Sequence, residues 1–517
     1  MRFPGWTNVL WSVSGKFIVL GSAVLFAGCG GSSALAPGPT QAQLQMSSMK
    51  DYSLQALVSD GFATPLCPTP AAGHAHCDSL ALTAAGTRKF SDEMRAYADA
   101  ARKSDDGTRN TLATLPTSGF GPSDFQSWYG LTADSAAYGK GSTVGIVIAG
   151  DAPIVEADLA VFRSHFGLPA CTTANGCFKR VDGNGGTNLP PYGSWAAEVA
   201  LDVDMVSDIC PLCNITIIEA ASDSLADLAT AQGGGVAAKV SAIGNSWGVS
   251  ETGMASYASK FSHPGTPITA AAGNSQYSSV QEVPAAFSTV TAVGGTFPNI
   301  LPPYREGAWS GTVGCSTIVA KPAWQKDTAC STRTVADVAF QAAYIATYTN
   351  GLWYVSVGTS APAQAIAALY AMVGSTVNDA SALYASSAGL YNVADGFDGP
   401  IVANSAGTPT SCNAPSDESN GIVSSFAKTR KALAATSPLY LCSGVVGYNA
   451  PTGNGTPNGI CGFATSCSAV IAPVPGGPTP APGAPGATPA PACPAASTGP
   501  GPAHPTPRLN GPGGCTS

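Results

Sequence analysis

The sequence predicts an α/β layered fold with a central, mostly parallel sheet flanked by helices. From about residue 119, short apolar runs that end in glycine or a polar turn alternate with segments of helical pattern. Such runs are typical of strands buried on both faces of a parallel sheet, and their alternation with helices indicates layers. The predicted strands are Thr143–Ala149, Ile215–Ala220, Val240–Trp247, Pro267–Ala272 and Val290–Gly294.

The composition limits the classes of function. Only 10% of the 517 residues are charged and the net charge is -8, whereas an ordinary soluble domain has about 25% charged residues. No Lys/Arg cluster interrupts this acidic balance, so the sequence predicts no nucleic-acid partner. We expect a monomer.

The first 29 residues have the pattern of a signal peptide. Arg2 and Lys16 precede an apolar run, Phe17–Ala27, that is too short to span a membrane. The run ends Leu-Phe-Ala-Gly-Cys29, which resembles the bacterial lipobox although Phe26 stands where Leu is usual. This resemblance implies lipidation of Cys29, with membrane contact only through that anchor. The alternative is a cleaved secretory signal that contains a cysteine.

The 15 cysteines indicate an oxidising compartment. Removing Cys29 leaves an even number, and many of the rest are close neighbours. Short-range pairs in an exported chain predict disulfides. Cys210-Pro-Leu-Cys213 also fits a redox or zinc motif, but no second CxxC accompanies it, which favours a structural bond. The candidate pairs are Cys67/Cys77, Cys171/Cys177, Cys210/Cys213, Cys315/Cys330 and Cys461/Cys467.

Two acidic residues stand four apart in the segment from Gly193 to Met205. On a helix, Glu198 and Asp202 lie on one face, where like charges destabilise the helix. Carboxyls that share a site push their pKa values apart, so that one accepts a proton while the other holds one. The alternative is a solvated acidic face, which the apolar neighbours of the pair make less favourable.

Two further segments place polar groups at turns. Ser360 begins a long apolar run of helical pattern, where backbone N–H groups would stabilise an oxyanion. Asn274 follows a predicted strand, where its amide could donate to the same oxyanion. The alternatives are an ordinary helix N-cap for Ser360 and an ordinary turn residue for Asn274.

An ordered set of motifs resembles the sedolisin (serine-carboxyl peptidase) family. The set comprises Phe125-Gln-Ser-Trp-Tyr-Gly-Leu, the Glu198-x-x-x-Asp202 segment, Thr291-Ala-Val-Gly-Gly-Thr, Gly358-Thr-Ser-Ala and Thr452-Gly-Asn-Gly-Thr-Pro-Asn-Gly. The resemblance implies a three-layer subtilisin-like fold and an endopeptidase with polypeptide substrates and an acid-leaning optimum. It also implies Ser360 as nucleophile, Glu198 as general base and Asp202 as its carboxyl partner. None of the five histidines lies in a His-Gly-Thr motif, which argues against a subtilisin-type triad.

The chain departs from the family at two sites. Asn274 replaces the family's oxyanion Asp, and because an amide donates at any pH we expect activity to extend to higher pH. At the family's calcium site, side chains of Asn392 and Asn449 replace aspartates beside carbonyls of Val393, Val445 and Gly447. Losing both carboxylates removes most of the charge that a hard cation needs, so calcium binding is doubtful.

Residue patterns and the resemblance together divide the chain. Residues 1–29 form the signal peptide, 30–118 a linker and short propeptide-like region with a helix at Ser91–Lys103, and 119–468 the peptidase domain. Residues 469–517 are a Pro/Gly-rich tail that cannot form a core. The rival hypothesis is a catalytically weak or inactive surface-anchored binding protein on the same fold. An esterase is disfavoured because the turn at Ser360 lacks a Gly-x-Ser-x-Gly elbow.

Overall fold

The computed structural model describes residues 54–92, 119–275, 277–299, 305–309, 311–385, 388–393, 402–403, 409–411, 438–441 and 444–464. The predicted signal peptide with Cys29, most of the predicted helix Ser91–Lys103, Cys467 and the tail lie outside these residues. In the described ranges no helix has both the length and the apolar character needed to cross a membrane.

Eight α-helices are defined within the described ranges: α1 (Leu54–Ser59), α2 (Pro122–Trp128), α3 (Thr132–Ala137), α4 (Val155–His165), α5 (Ala196–Ile209), α6 (Leu225–Ala237), α7 (Ser360–Met372) and α8 (Ser381–Ala385). Residues 84–92 are also helical, up to the limit of their described range. Short 3-10 helices occupy Ala255–Phe261, Pro438–Leu441 and Cys461–Phe463.

In chain order, the first ten strands are β1 (Ala63–Pro65), β2 (His76–Cys77), β3 (Ser79–Leu82), β4 (Thr143–Ala149), β5 (Phe178–Asp182), β6 (Asn214–Ala220), β7 (Ala242–Asn245), β8 (Trp247–Ser250), β9 (Ile268–Ala271) and β10 (Glu282–Val283). The strands that follow are β11 (Thr291–Asn299), β12 (Arg305–Ala308), β13 (Gly314–Ala320), β14 (Thr332–Val335), β15 (Val338–Gln341), β16 (Ile345–Thr349), β17 (Leu352–Gly358), β18 (Leu390–Tyr391), β19 (Val402–Ala403), β20 (Pro409–Ser411) and β21 (Thr456–Pro457).

The central sheet has eight strands in the order β12-β11-β9-β7-β4-β6-β5, with β15 also paired to β11. Every pairing in it is parallel except that of β11 with β12. The predicted α/β fold with a mostly parallel sheet is therefore confirmed. The predicted strand Val240–Trp247 is split, because the chain leaves the central sheet after Asn245 and β8 pairs instead with β2 and β10.

Helices flank this sheet, and two of them, α5 and α7, are buried on all sides. Helix α7 packs on β7, β9 and β11, α6 packs on β4 and β6, and α5 packs against α7. Every residue of α5 except Ala197 is buried. A helix that is buried all round needs no charged face, yet α5 carries four acidic residues, which the packing therefore takes out of water.

The segment before residue 92 packs against the strand that leads to Ser360. Strand β3 lies between β1 and β17, with Ser79 opposite Gly358 and Ala81 opposite Ser356. Strand β2 pairs antiparallel with β8. Residues that the sequence assigned to a linker and propeptide-like region thus contribute strands to two small sheets beside the α5–α7 contact.

Four disulfides join described cysteines: Cys67–Cys77, Cys171–Cys177, Cys210–Cys213 and Cys315–Cys330. Four of the five predicted pairs are confirmed, and the bond at Cys210-Pro-Leu-Cys213 is a disulfide within the fold. The fifth predicted pair includes Cys467, which lies outside the described residues.

Candidate active site

The packing of α5 on α7 brings Glu198 to Ser360. Glu198 lies in the first turn of α5 and Ser360 is the first residue of α7. Their exposed fractions are 1% and 0%. Burial raises the pKa of Glu198 to about 8, and hydrogen bonding by the hydroxyls of Ser360 and Ser79 opposes that rise. The contact of α5 with α7 therefore brings the carboxyl and the candidate nucleophile into one buried cluster, across 162 positions of sequence.

The hydrogen bonds in this contact are not those of a completed proton relay. Ser360 Oγ donates to the carbonyl oxygen of Ser246 at 3.2 Å. Glu198 Oε2 accepts from the Ser79 hydroxyl, while Glu198 Oε1 has no aligned hydrogen-bond partner among the described residues. The Ser360 hydroxyl thus influences the titration of Glu198 without an aligned bond to it. Loosely aligned contacts are common at catalytic groups before a substrate is bound.

Asp202 lies one helical turn beyond Glu198. Burial raises the pKa of Asp202 well above its ordinary value, and the neighbouring Glu198 raises it further. Its Oδ1 accepts from Ser246 Oγ at 2.6 Å, and that hydroxyl in turn accepts from Gln364 Nε2 at 2.8 Å. The chain Gln364–Ser246–Asp202 fixes the second carboxyl, and two adjacent buried carboxyls favour a state in which they share a proton.

Asn274 is held beside the nucleophile by Thr359. Its Oδ1 accepts hydrogen bonds from the Thr359 backbone N–H at 3.0 Å and from Thr359 Oγ1 at 3.1 Å. Because a backbone N–H can only donate, the atom facing it must be the amide oxygen. The Asn274 amide is therefore fixed against Thr359, the residue before Ser360, with Nδ2 as its donor group; its role as an oxyanion donor stays a prediction.

The described histidines form no hydrogen bond with Ser360. His76 approaches Asp78 at 3.4 Å and Glu282 at 3.3 Å. Burial lowers the pKa of His76, but the carboxylates of Glu282 and Asp78 raise it more, to about 11. Such a histidine stays protonated over the ordinary range and cannot serve as a base. The expectation that no subtilisin-type triad is present agrees with these contacts.

The residues predicted at the calcium site come together, but they do not fit a calcium ion. Asn449 Nδ2 donates to the carbonyl oxygens of Val393 at 3.0 Å and Val445 at 3.2 Å, and Asn392 Nδ2 donates to that of Gly447 at 2.9 Å. Each carbonyl that would face the cation already faces an amide proton. With no carboxylate in the set, the donor chemistry also falls short of what a hard cation needs.

Comparison with known proteins finds no matching family and no matching curated protein. Among solved structures, the chain is similar to a Pseudomonas sedolisin (serine-carboxyl proteinase) complexed with pseudo-iodotyrostatin, at 18% identity and TM-score 0.49, over 66% of this chain and 95% of that one. It is similar to the S41 psychrophilic protease at 16% identity and TM-score 0.37, over 55% and 94% of the two chains.

A third similar structure is fervidolysin from Fervidobacterium pennivorans, a keratinolytic enzyme related to subtilisin. Its identity is 11% and its TM-score 0.36, over 68% of this chain and 45% of that one. At these identities and scores, the chemistry of this chain has to be argued from the residues of its own site.

Sequence reasoning missed three side chains at this site: Ser79, Ser246 and Gln364. Ser79 contacts Glu198 across 119 positions and Ser246 contacts Asp202 across 44, and no local pattern links either pair. Gln364 lies inside the apolar run that follows Ser360, and no local pattern marks it as part of a site. A side chain at position 244 would collide with Gln364, because its Cβ would lie 2.0 Å from Gln364 Oε1. Gly244 is therefore the one feature of the sequence that points to the buried amide.

Proposed function

We propose that this chain is an exported serine-type endopeptidase of the serine-carboxyl type, which hydrolyses polypeptides through an acyl-enzyme on Ser360. The observation that supports it most directly is the burial of Ser360 and Glu198 together where α5 packs on α7, with Asp202 one turn further on α5. Because none of the described histidines hydrogen-bonds Ser360, the base for such a hydroxyl is a carboxylate.

In this mechanism Glu198 takes the proton of Ser360 as Oγ attacks the scissile carbonyl carbon. Nδ2 of Asn274 and the backbone N–H of Ser360 stabilise the negative charge that develops on the carbonyl oxygen. Glu198 then gives the proton to the departing amine, and water hydrolyses the ester. Asp202, positioned by Ser246, shares a proton with Glu198 and keeps its carboxyl in place.

The mechanism requires one proton on the pair of carboxyls, so we expect a bell-shaped pH dependence set by the pair as a unit. Burial raises the pKa of both groups, which moves this window above the range of ordinary carboxyls. The acid-leaning optimum that we propose applies once water enters the site, because hydration lowers the pKa of a buried carboxyl.

Export is supported by the four disulfides, which are typical of oxidising compartments. Lipidation of Cys29 remains a separate prediction of the lipobox-like sequence. Mass spectrometry of the mature N-terminus tests it: a diacylglyceryl-modified Cys29 supports the anchor, and an unmodified terminus after residue 29 contradicts it.

Digestion of denatured casein between pH 3 and pH 7 tests the proposed activity. We expect wild-type protein to cut casein and Ser360→Ala to lose that cleavage. Equal and negligible cleavage by both proteins would favour the rival hypothesis, a binding protein on the same fold.

A further inference from the structure

Three side chains of metal-ligating type face one another next to β8: His76, Asp78 and Glu282. His76 belongs to β2 and Glu282 to β10, and β8 lies between these two strands in one small sheet. Each of the three offers one ligand atom, and these atoms lie within 4.8 Å of one another. His76 Nε2 is 3.4 Å from Asp78 Oδ1 and 3.3 Å from Glu282 Oε2.

Hydrogen bonds do not account for this arrangement. Asp78 Oδ1 and Glu282 Oε2 have no hydrogen-bond partner among the described residues, and neither has Asp78 Oδ2. Asp78 is 0% exposed and Glu282 is 7% exposed, so water does not replace the missing partners freely. A buried carboxylate oxygen without a partner is costly, which indicates that another positive group is bound between the two carboxylates.

The spacing of the ligand atoms fits a tetrahedral zinc site. A Zn²⁺ ion bound at about 2.0–2.1 Å holds its ligand atoms about 3.3–3.4 Å apart, and His76 Nε2 lies at this separation from both carboxylates. One imidazole nitrogen with two carboxylate oxygens is a donor set that suits zinc, whereas Ca²⁺ and Mg²⁺ prefer oxygen ligands. Three protein ligands also leave the fourth position for water.

Two glycines leave room for the Glu282 carboxylate. A side chain at position 248 would place its Cβ 2.0 Å from Glu282 Oε2, and one at position 273 would place its Cβ 2.7 Å from Glu282 Oε1. Gly248 stands opposite His76 in the pairing of β2 with β8. The missing side chain on β8 therefore lets a ligand from β10 reach a ligand from β2.

We propose that His76, Asp78 and Glu282 form a binding site for one Zn²⁺ ion, with water as the fourth ligand. The ion enters on the His76 side, because that side chain is 38% exposed whereas the two carboxylates are buried. It links β2 to β10 across β8. The site needs no activity of Ser360, so this inference is independent of the proposed function.

The competing interpretation is a protonated His76 held between two carboxylates. A proton on Nε2 supplies positive charge in the metal-free chain, and a zinc ion would displace that proton when it binds. The two interpretations differ in one observable. The ion pair alone gives no saturable zinc binding that depends on these residues, whereas the metal site binds one Zn²⁺ per chain.

Calorimetric titration of the full-length chain with zinc chloride tests the site, after removal of metals with a chelator and without an added histidine tag. All chains carry Ser360→Ala, so that peptidase activity cannot alter them during the titration. We expect one Zn²⁺ ion whose binding depends on Glu282. Glu282→Gln keeps the size of the side chain but loses its charge. It should weaken binding by more than the roughly 10–100-fold that loss of an outer partner costs.

Two further variants test the position of the ion. His74→Ala is the matched control, because His74 is a partly exposed histidine that contacts Asp223 instead, and it should leave zinc affinity unchanged. Gly248→Ala keeps all three ligands but displaces the Glu282 carboxylate, so it should weaken binding as well. With Co²⁺ in place of Zn²⁺, the strong visible absorption of a tetrahedral ion should appear in the parent chain and be lost in Glu282→Gln.

Several outcomes would overturn the inference. The absence of saturable Zn²⁺ binding to the parent chain would leave the protonated histidine as the explanation. Equal affinity in the parent and Glu282→Gln chains, with both folded by circular dichroism, would place the ion elsewhere, and so would loss of binding in His74→Ala. If Glu282→Gln does not fold, the more exposed His76→Gln takes its place, and unchanged affinity there would also overturn the site.

Discussion

The side chain of Asn449 and the polar cluster around Ser360 are both buried, but their hydrogen bonds differ in completeness. Asn449 uses its whole amide: Oδ1 accepts from the N–H and hydroxyl of Thr452, and Nδ2 donates to two carbonyls. Near Ser360, by contrast, Glu198 Oε1, Asp202 Oδ2 and Gln364 Oε1 have no hydrogen-bond partner within the described part of the chain.

We interpret this difference as one of role: the hydrogen bonds of Asn449 stabilise the structure, whereas the groups around Ser360 serve the proposed proton transfers. A buried polar atom without a partner costs about 1–3 kcal/mol, so it is retained only where something offsets or requires it. Around Asn449, amide protons face the carbonyls that would face a cation, and Oδ1 of the neighbouring Asn392 is the atom there without a partner among the described residues. In the Ser360 cluster, the unpartnered carboxyl oxygens are the ones that the proposed proton transfers use.

The largest expected effect is that of Glu198→Gln on catalysis. Glutamine keeps the size of the side chain but cannot accept the Ser360 proton, so kcat/KM for a peptide substrate should fall by about 10²–10⁴-fold. The matched control is Asp204→Asn, which changes a buried acid on the same helix that accepts from the Tyr348 N–H instead. The control should stay within a few-fold of wild type. Similar losses in the two variants would assign Glu198 to helix packing.

A smaller effect is expected at the oxyanion donor. Asn274→Ala should lower kcat by about 10²–10³-fold with little change in KM, because the donor acts on charge that exists only in the transition state. Asn274→Asp should restore activity only in acid, where the new carboxyl is protonated and can donate. The pH–rate profiles of the two variants and wild type check this. An Asn274→Asp profile identical to that of wild type would remove the oxyanion role.

The buried carboxyls also predict how stability depends on pH. Burial raises the pKa of Asp78 to about 7 and those of Glu198 and Glu219 to about 8. Between about pH 4 and pH 8 the folded chain therefore holds protons that the unfolded chain has lost. The free energy of unfolding should then fall as pH rises from 5 to 8, by an amount on the order of a few kcal/mol.

Urea unfolding at pH 5 and pH 8 measures this change. Glu198→Gln, which removes one of the titrating groups, should show a weaker dependence on pH than wild type. A chain that is equally stable or more stable at pH 8 would mean that these carboxyls are ionised in the folded state.

The smallest effects are expected around Asn449. Asn449→Ala should lower the free energy of unfolding by about 1–3 kcal/mol, because it leaves buried groups without partners. Asn392→Ala removes one bond at a more exposed position and should cost about 1 kcal/mol or less. Calorimetric titration of wild type with Ca²⁺ should give no binding heat. Saturable Ca²⁺ binding there would show that the amides yield their carbonyls to a cation.

Local sequence patterns predicted much of the fold. The runs that became β4, β6 and β9 could be predicted because burial on both faces of a parallel sheet leaves a continuous apolar signature. The four-residue spacing of Glu198 and Asp202 likewise predicted one face of one helix, and α5 has it. These features depend on neighbours in sequence, so single-sequence reasoning could reach them.

The contacts across the site could not be predicted in the same way. The carbonyl oxygen of Asp78 accepts from the Ser360 N–H because β3 pairs with β17, and strand pairing between distant segments leaves no mark in local composition. Ser246 lies at the point where the chain changes from one sheet to another, inside what reads as a single apolar run. Its bond to Asp202 depends on the packing of α5, which the sequence does not specify.

The activation of Ser360 by Glu198 is tested most directly by labelling with a serine-reactive fluorophosphonate, followed by peptide mass spectrometry. Wild-type chains are compared with chains that carry Glu198→Gln. We predict an adduct on Ser360 whose rate of formation rises with one ionisation, and loss of both the adduct and its pH dependence in Glu198→Gln. Equal labelling of Ser360 with and without the Glu198 carboxyl would contradict a carboxylate base at this serine.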